Sequence, residues 1–279
     1  MPTFTAPDGT TLAYRELGSG EPLVCLPGGP MRDAAYLGEL GELAAHRRLL
    51  VLDLRGTGGS AEPTDPDTYR CDRQVGDVEA LREHLGLDRF DLLGHSAGGS
   101  LALLYAAARP ERLGRLALVT PSAQSVGLQL TSDGRRQAIA RRAGQPWYAA
   151  VATAYDAVAA GRATSADWAA LAPLYYGRWD DTAKAHHATE SAQRHARAAR
   201  GYNAAGAFDP PRTRTALAAV TAPVLVLAGE HDWITPPDVA TAMADLFPAA
   251  HTVIQAGASH YPWVDDPAAF TETVAKFLT

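Results

Sequence analysis

A segment near the middle of the chain, Gly94-His95-Ser96-Ala97-Gly98, has the pattern G-x-S-x-G, and its position between two other signals restricts the possible folds. An apolar run precedes it at residues 90–93, and an alanine-rich, helix-favouring run follows at residues 100–108. A strand, a sharp turn and a helix in this order are the context in which the pattern exposes a nucleophilic serine on an elbow. Glycines fit such a turn because the backbones approach where a Cβ atom would clash. The alternative interpretation is a glycine-rich loop with an ordinary helix-capping serine.

Short apolar runs alternate with helix-favouring segments along most of the chain. Runs without polar alternation, typical of strands buried on both faces, occur at residues 22–26, 49–52, 90–93, 113–119, 223–228 and 252–254. Helical periodicity is found at residues 33–46, 72–85, 237–246 and 267–278. Residues 4–6 and 11–17 flank a turn typical of a hairpin. This order predicts an α/β fold whose mostly parallel central sheet carries helices on both faces.

The alternation of strand and helix signals stops between residues 122 and 214. This segment is rich in alanine and arginine, favours helix and contains no strand-like apolar run. Strand signals resume only at residue 223. We therefore expect a core domain formed by residues 1–121 and 215–279, with a helical cap, residues 122–214, inserted before the last two strands.

Composition narrows the classes of function. The chain is 47% hydrophobic and 20% charged, which is typical of a soluble globular protein. A net charge of −6 without a basic stripe disfavours a nucleic-acid partner. We see neither a bilayer-spanning apolar run nor a secretory signal, so we expect a cytoplasmic protein without a membrane partner. Cys25 and Cys71 form no disulfide framework, no Cys/His cluster has metal-ligand spacing, and no metal or other cofactor is expected.

Two later loops carry the partners that Ser96 would need as a nucleophile. A serine hydroxyl attacks at neutral pH only when a base accepts its proton and a carboxylate orients that base. Asp232 follows the predicted strand at residues 223–228, and His260 follows the one at residues 252–254. Functional residues gather at the carboxyl ends of parallel strands, so Ser96, Asp232 and His260 are expected to meet. The rival acid is Glu230 and the rival base is His231.

The loop after the first buried strand contains two successive glycines, Gly28 and Gly29. Acyl transfer needs N–H donors for the oxyanion that develops in its transition state. One donor is expected from Ala97, the residue after the nucleophile, and the other from Gly29, because paired glycines let the backbone turn an N–H inward. A plain turn is the alternative interpretation of the glycine pair.

With these residues the chain resembles the α/β-hydrolase fold enzymes, and among them it is similar to the proline iminopeptidase group. Gly28-Gly29-Pro30 resembles the His-Gly-Gly-Pro-Gly oxyanion loop of those peptidases. Residues 53–60 resemble their Asp-x-Arg-Gly-x-Gly-x-Ser segment, and residues 94–99 resemble their elbow. The resemblance implies an α/β-hydrolase fold with a catalytic triad, formed by Ser96, Asp232 and His260.

The chain departs from the peptidases at positions that bear on specificity. Pro27, Met31 and Ala97 stand where the peptidases carry His, Gly and usually Trp. Those peptidases also hold the free amino group of the substrate with acidic cap residues. Here the strong candidate for that role is Glu190, in a basic segment. The resemblance therefore supports the fold and the catalytic residues of this chain more strongly than it supports the substrate specificity of the peptidases.

The expected function is that of a serine hydrolase which cleaves a small ester, thioester, lactone or amide through an acyl-enzyme. The partner is a small acyl compound or a short peptide. Aromatic cap residues are candidates for the substrate pocket, with packing inside the cap as the alternative for each: Trp147, Trp179 and Tyr175, beside Trp168 and Tyr176. A proline iminopeptidase-type aminopeptidase and a non-catalytic ligand-binding protein are the alternative functions, and the oligomeric state is left open.

Overall fold

Eight strands form one sheet in the computed structural model, which describes residues 1–128 and 130–279. In chain order they are β1 (Thr3–Thr5), β2 (Thr11–Leu17), β3 (Pro22–Leu26), β4 (Arg48–Leu52), β5 (Phe90–His95), β6 (Leu113–Val119), β7 (Val224–Gly229) and β8 (Ala250–Gln255). Their order across the sheet is β1-β2-β4-β3-β5-β6-β7-β8. The first two pairs are antiparallel and every later pair is parallel, which confirms the predicted mostly parallel sheet.

Helices accompany the sheet in two groups. Those before β6 or after β7 are α1 (Val75–His84), α2 (Ala97–Ala108), α10 (Pro237–Ala244), α11 (Pro262–Asp265) and α12 (Pro267–Leu278). Those between β6 and β7 are α3 (Ser132–Ala140), α4 (Tyr148–Ala159), α5 (Ser165–Ala170), α6 (Asp181–Ala188), α7 (Glu190–Gln193), α8 (Ala196–Tyr202) and α9 (Pro210–Leu217). The described residues of the expected cap contain no strand, and β7 and β8 follow it. Gln129, within that range, lies outside the described residues.

The sheet is covered on both faces, which explains why central strands such as β3, β4 and β7 lack polar alternation. Along β3, Val24 and Leu26 enter one apolar cluster, to which α1, α2 and α10 also contribute. Leu23 and Cys25 enter the opposite cluster, which contains side chains of α12. Successive strand residues point to opposite faces, so a strand buried on both faces reads as a continuous apolar run. The predicted helices on both faces are confirmed.

The predicted helix at residues 33–46 is wrong. The structure has two short 3₁₀ helices there, Ala34–Leu37 and Leu43–Ala45. An α-helix needs φ near −60°, and the backbone between them turns to φ values of 54°, 51° and 71° at Gly38, Leu40 and Gly41. Leu40 is nevertheless fully buried. The apolar spacing of this segment therefore reflects packing against the sheet, while two glycines break the helix.

A buried ion pair ties α1 to the loop after β4. Arg55 donates from Nε and Nη2 to the two carboxylate oxygens of Asp77 at 2.6 Å each, and both side chains are buried. Arg55 also pairs with the partly exposed Asp8. Replacing Asp77 with alanine is expected to lower the free energy of unfolding by about 3 kcal/mol. The Arg55 charge then stays buried without its buried carboxylate partner. Denaturant unfolding measures this loss.

The exposed pair between Arg48 and Glu16, 3.4 Å apart, provides the matched control. Replacing Glu16 with alanine is expected to lower the free energy of unfolding by less than about 1 kcal/mol, because solvent screens an exposed ion pair. Similar losses for the Asp77 and Glu16 variants would show that burial does not set the strength of the pair at Asp77.

Two features are absent from the part of the chain that the structure describes. None of its helices combines the length and the apolar character that crossing a membrane requires. Its His, Cys, Asp and Glu side chains form no group of three or more placed to hold a metal ion.

Candidate active site

The predicted elbow is present between β5 and α2. Ser96 has φ 51° and ψ −120°, a conformation that side-chain-bearing residues rarely adopt and that places its side chain at the tip of the turn. A Cβ atom on Gly94 would lie 2.6 Å from the carbonyl oxygen of Gly98, and one on Gly98 would collide with the carbonyl oxygen of Leu26. Both glycines of the motif are therefore required by the close approach of β3, β5 and α2.

Ser96, His260 and Asp232 form a continuous hydrogen-bonded chain. The Oγ of Ser96 lies 2.9 Å from Nε2 of His260, and Nδ1 of His260 lies 3.0 Å from Oδ2 of Asp232. The other oxygen of Asp232 accepts the N–H of Ile234 at 2.8 Å. Asp232 and His260 are buried, whereas Ser96 is half-buried. With Nδ1–H donated to Asp232, Nε2 of His260 is free to accept the hydroxyl proton of Ser96.

The rival acid and base from the sequence lie elsewhere. Glu230 is exposed, and its Oε2 accepts the N–H of Gly257 at 2.8 Å. Among the described hydrogen bonds, His231 has none to the side chain of Ser96 or Asp232. The structure therefore brings together Ser96, Asp232 and His260, and leaves both rivals apart from them.

The glycine loop after β3 lies directly against the elbow. A Cβ atom on Gly28 would be 2.8 Å from the Cβ of Ser96. The N–H of Gly28 donates to the Tyr36 hydroxyl at 2.7 Å, so it is already occupied. Over residues 1–128 and 130–279, the N–H groups of Gly29 and Ala97 have no hydrogen-bond partner. Both residues border the same cavity as Ser96.

A second hydrogen-bonded chain, which the sequence did not reveal, connects three loops of the site. The Tyr36 hydroxyl lies 2.7 Å from Nδ1 of His95, and Nε2 of His95 lies 3.0 Å from the carbonyl oxygen of His260. Burial, with the neighbouring His260, holds the pKa of His95 well below its usual value. Neutral His95 therefore donates Nε2–H to His260 and accepts from Tyr36, which itself accepts from Gly28. The glycine loop, the elbow and the His260 loop are thus held in one arrangement.

The loop that carries His260 is also held by residues between β6 and β7. His260 donates its N–H to the carbonyl oxygen of Tyr175 at 3.1 Å, and Ser259 donates its hydroxyl to that of Leu174 at 2.7 Å. Asp265 accepts the N–H groups of Gly177 and Ser259, each at 2.8 Å. Burial raises the pKa of Asp265 to about 6, while its hydrogen bonds from Ser259 and Gly177 favour the ionised form. We call this set of contacts the 174–177 seam.

A cavity of about 800 Å³ opens above Ser96, a size typical of small-molecule sites. Two of the predicted substrate residues, Tyr175 and Glu190, line it, as does Trp168. The structure does not bring Trp147 and Trp179 to it. Trp147 stacks on Arg142 at 4.9 Å, and Trp179 packs on the rings of Tyr176 and His187. These two tryptophans pack against neighbouring side chains outside the cavity wall, the alternative that the sequence left open.

Glu190, the carboxylate that lines the cavity, already has two basic side chains as neighbours. Its Oε2 lies 3.4 Å from Nδ1 of His187, and its Oε1 lies 3.5 Å from Nη1 of Arg194. The hydrogen bond with His187 is the main cause that lowers the pKa of Glu190. At neutral pH this carboxylate is therefore ionised and paired within the protein.

Comparisons with known proteins agree with this architecture. A family model described as alpha/beta hydrolase fold matches residues 21–267. A proline iminopeptidase of Lactobacillus helveticus (strain DPC 4571) is 44% identical over 98 residues, which make up 33% of this chain and 33% of that relative. The chain therefore matches only about a third of the length of this curated relative.

Solved structures match over nearly the whole chain. An esterase from Rhodococcus sp. ECU1013 has 26% sequence identity and a TM-score of 0.73, covering 99% of this chain and 98% of its own. An esterase from Exiguobacterium antarcticum reaches a TM-score of 0.75 at 20% identity, with the same coverage. Because the family model spans most of the sequence, the resemblance noted above is confirmed: the chain belongs to the alpha/beta hydrolase fold family.

Proposed function

We propose that this protein is a serine hydrolase that cleaves a small ester, thioester, lactone or amide through an acyl-enzyme. The observation that carries the proposal is the chain of hydrogen bonds from Asp232 through His260 to Ser96, which ends at the cavity. A serine held this way has the base and the orienting carboxylate that its hydroxyl needs for attack. Esterases and a proline iminopeptidase among the similar proteins support hydrolysis as the class of reaction.

The proposed mechanism assigns one task to each group. Oγ of Ser96 attacks the substrate carbonyl carbon while Nε2 of His260 accepts its proton, and Asp232 stabilises the resulting imidazolium. The N–H groups of Gly29 and Ala97 donate to the oxyanion of the tetrahedral intermediate, and the positive end of the α2 dipole lies at the same place. Collapse releases the leaving group, which takes the proton from His260. Water, deprotonated by His260, then hydrolyses the acyl-serine and frees the acid.

Residues 122–214 act in this proposal as the cap of a core formed by residues 1–121 and 215–279. Tyr202 of α8 donates its hydroxyl to the carbonyl oxygen of Ala97 at 2.7 Å, so this segment contacts the elbow itself. Tyr175 and Trp168 border the cavity from the same segment. We propose that the cap excludes bulk water and contacts the substrate through these two aromatic residues.

A proline iminopeptidase is the second candidate. Two observations favour it: Glu190 borders the cavity, and a curated relative carries that name. In such an enzyme Glu190 would accept the substrate ammonium, and its present pairs with His187 and Arg194 would have to be exchanged for that contact.

Labelling with a fluorophosphonate probe tests the proposal. We expect wild type to gain one phosphonyl group on Ser96, located by peptide mass spectrometry, and Ser96→Ala to gain none. Ser122→Ala, which removes another hydroxyl of the cavity wall, is the matched control and should label as wild type does. Absence of label on Ser96 in wild type would overturn the serine mechanism and favour a ligand-binding protein.

A substrate panel separates the two enzyme candidates. We expect turnover of p-nitrophenyl esters and no release of naphthylamine from proline-β-naphthylamide. Faster cleavage of the proline substrate than of every ester would favour the iminopeptidase.

A further inference from the structure

A buried arginine, Arg32, borders the cavity that contains Ser96. The residue is 1% exposed, and its side chain stacks on the ring of Tyr36 with the guanidinium carbon 4.3 Å from the ring centre. It lies on the loop after β3, three residues beyond Gly29. The proposed mechanism gives this cation no task.

The hydrogen bonds of Arg32 all go to neutral acceptors. Its guanidinium donates to the Gln193 side chain (2.8 Å), the Thr189 hydroxyl (2.9 Å), the Tyr261 hydroxyl (3.3 Å) and the carbonyl oxygen of His186 (3.4 Å). A guanidinium has five N–H donors, so one on Nη1 remains without a partner among the described residues. In the same part of the chain, no carboxylate oxygen lies within 4.0 Å of the Arg32 nitrogens.

Most other buried arginines of the described chain have a carboxylate partner. The pairs are Arg47–Asp91 (2.6 Å), Arg55–Asp77 (2.6 Å) and Arg82–Glu79 (2.7 Å). Arg142 is the exception, and it donates to the carbonyl oxygens of Tyr176 and Gly177 away from the cavity. Burying a cation without a counter-ion is costly, so the position of Arg32 in a ligand cavity points to an anion that the ligand brings.

The balance of charge in the cavity wall agrees with this. The residues lining it that are charged at neutral pH, with histidines neutral, are Arg32, Arg194 and Glu190. Glu190 lies within 3.5 Å of Arg194. Arg32 also lowers the pKa of Glu190, so one carboxylate faces two cations and the wall keeps a net positive charge.

We propose that Arg32 binds a free carboxylate of the substrate, so that the hydrolysed ester or lactone belongs to the class that carries a carboxylate besides the scissile bond. The inference rests on the proposed hydrolase function and narrows its substrate class. The free N–H on Nη1 can donate a charge-assisted hydrogen bond to a carboxylate oxygen, and such a bond is stronger than one between neutral groups. The same cation repels the ammonium group of an N-terminal proline, which disfavours the iminopeptidase alternative.

Arg32 also links the loop after β3 to α7 and Thr189, so a purely structural role is the competing explanation. Two ester pairs separate the two roles. One pair differs in the acyl group: mono-(4-nitrophenyl) adipate against 4-nitrophenyl heptanoate. The other differs in the leaving group: 4-acetoxybenzoate against phenyl acetate.

For each pair the measured quantity is the ratio of kcat/KM for the anionic ester to kcat/KM for the neutral ester. Arg32→Gln is expected to lower this ratio about tenfold or more in one pair, because a hydrogen bond to a charged group is lost, and that pair locates the carboxylate. Arg142→Gln, the matched buried arginine outside the cavity wall, should leave both ratios as in wild type. Unchanged ratios in Arg32→Gln would overturn the proposal and leave Arg32 as a structural link.

Binding provides a measurement that needs neither turnover nor the Gln variant. Calorimetry on Ser96→Ala should show adipate or benzoate binding about tenfold or more tightly than its amide, adipamide or benzamide. Adding Arg32→Met, which removes the cation, should abolish this preference. Equal affinities for acid and amide would overturn the carboxylate site. If wild type is not labelled at Ser96 but this preference is found, the serine mechanism fails while the carboxylate site stands.

Discussion

Replacing Ser96 with alanine is expected to lower kcat for a p-nitrophenyl ester by about 10⁶-fold, the largest effect among the substitutions considered. The reason is that the oxygen which forms the acyl-enzyme is removed, while the Gly29 and Ala97 N–H groups remain. These groups still stabilise an oxyanion, so a residual rate above the uncatalysed reaction is expected. The decrease in kcat is measured by steady-state kinetics on a Ser96→Ala preparation that contains no wild-type enzyme.

Ser122→Ala is the matched control for this prediction, because it removes a hydroxyl that borders the same cavity and has no base. It should change kcat by less than about threefold, since a substitution away from the reacting atoms removes no transition-state contact. The denaturation midpoint of Ser96→Ala should stay close to that of wild type. A folded Ser96→Ala protein that keeps more than a tenth of the wild-type kcat would contradict the nucleophile assignment.

Asp232→Asn is expected to lower kcat by about 10⁴-fold while leaving the fold intact. The fold is preserved because the amide has nearly the same shape as the carboxylate that it replaces. The NH₂ group of the amide, facing Nδ1 of His260, favours the tautomer with the proton on Nε2, which cannot accept a proton from Ser96. The amide also lacks the negative charge that stabilises the imidazolium. Steady-state kinetics with the same p-nitrophenyl ester measures the loss.

Glu230→Gln provides the control, because Glu230 was the rival acid two residues away and is exposed. Its kcat is expected to remain within about twofold of wild type, as the carboxylate touches Gly257 and not His260. Comparable losses in both variants, or a larger loss in Glu230→Gln, would show that the acid has been assigned wrongly.

Much of the fold could be predicted because its signals are local. The bounds of β3, β6 and α12 agree with the sequence expectation, since apolar runs mark the strands and a proline occupies the first position of α12. The positions of Ser96, Asp232 and His260 followed from one rule, that polar residues just beyond parallel strands meet at one edge of the sheet.

What the sequence did not reveal depends on contacts between distant residues. Tyr36 and His95 are 59 positions apart, and His95 and His260 are 165 apart, so no local pattern joins them. The burial of Arg32 likewise depends on residues more than 150 positions away, His186, Thr189 and Gln193. Trp147 and Trp179 failed as cavity residues because aromatic composition predicts burial but not the face toward which a ring points.

The 174–177 seam restricts how a substrate can reach Ser96. The segment holds the His260 loop through backbone atoms, and a Cβ atom on Gly177 would collide with the carbonyl oxygen of Gly257. A movement that separated the two would take the base away from Ser96. Any movement of residues 122–214 that kept the base beside Ser96 would have to leave this seam intact. Trp168, outside the seam on α5, borders the cavity and is 55% exposed. Entry of a ligand past Trp168 would leave the hydrogen bonds that hold the His260 loop in place.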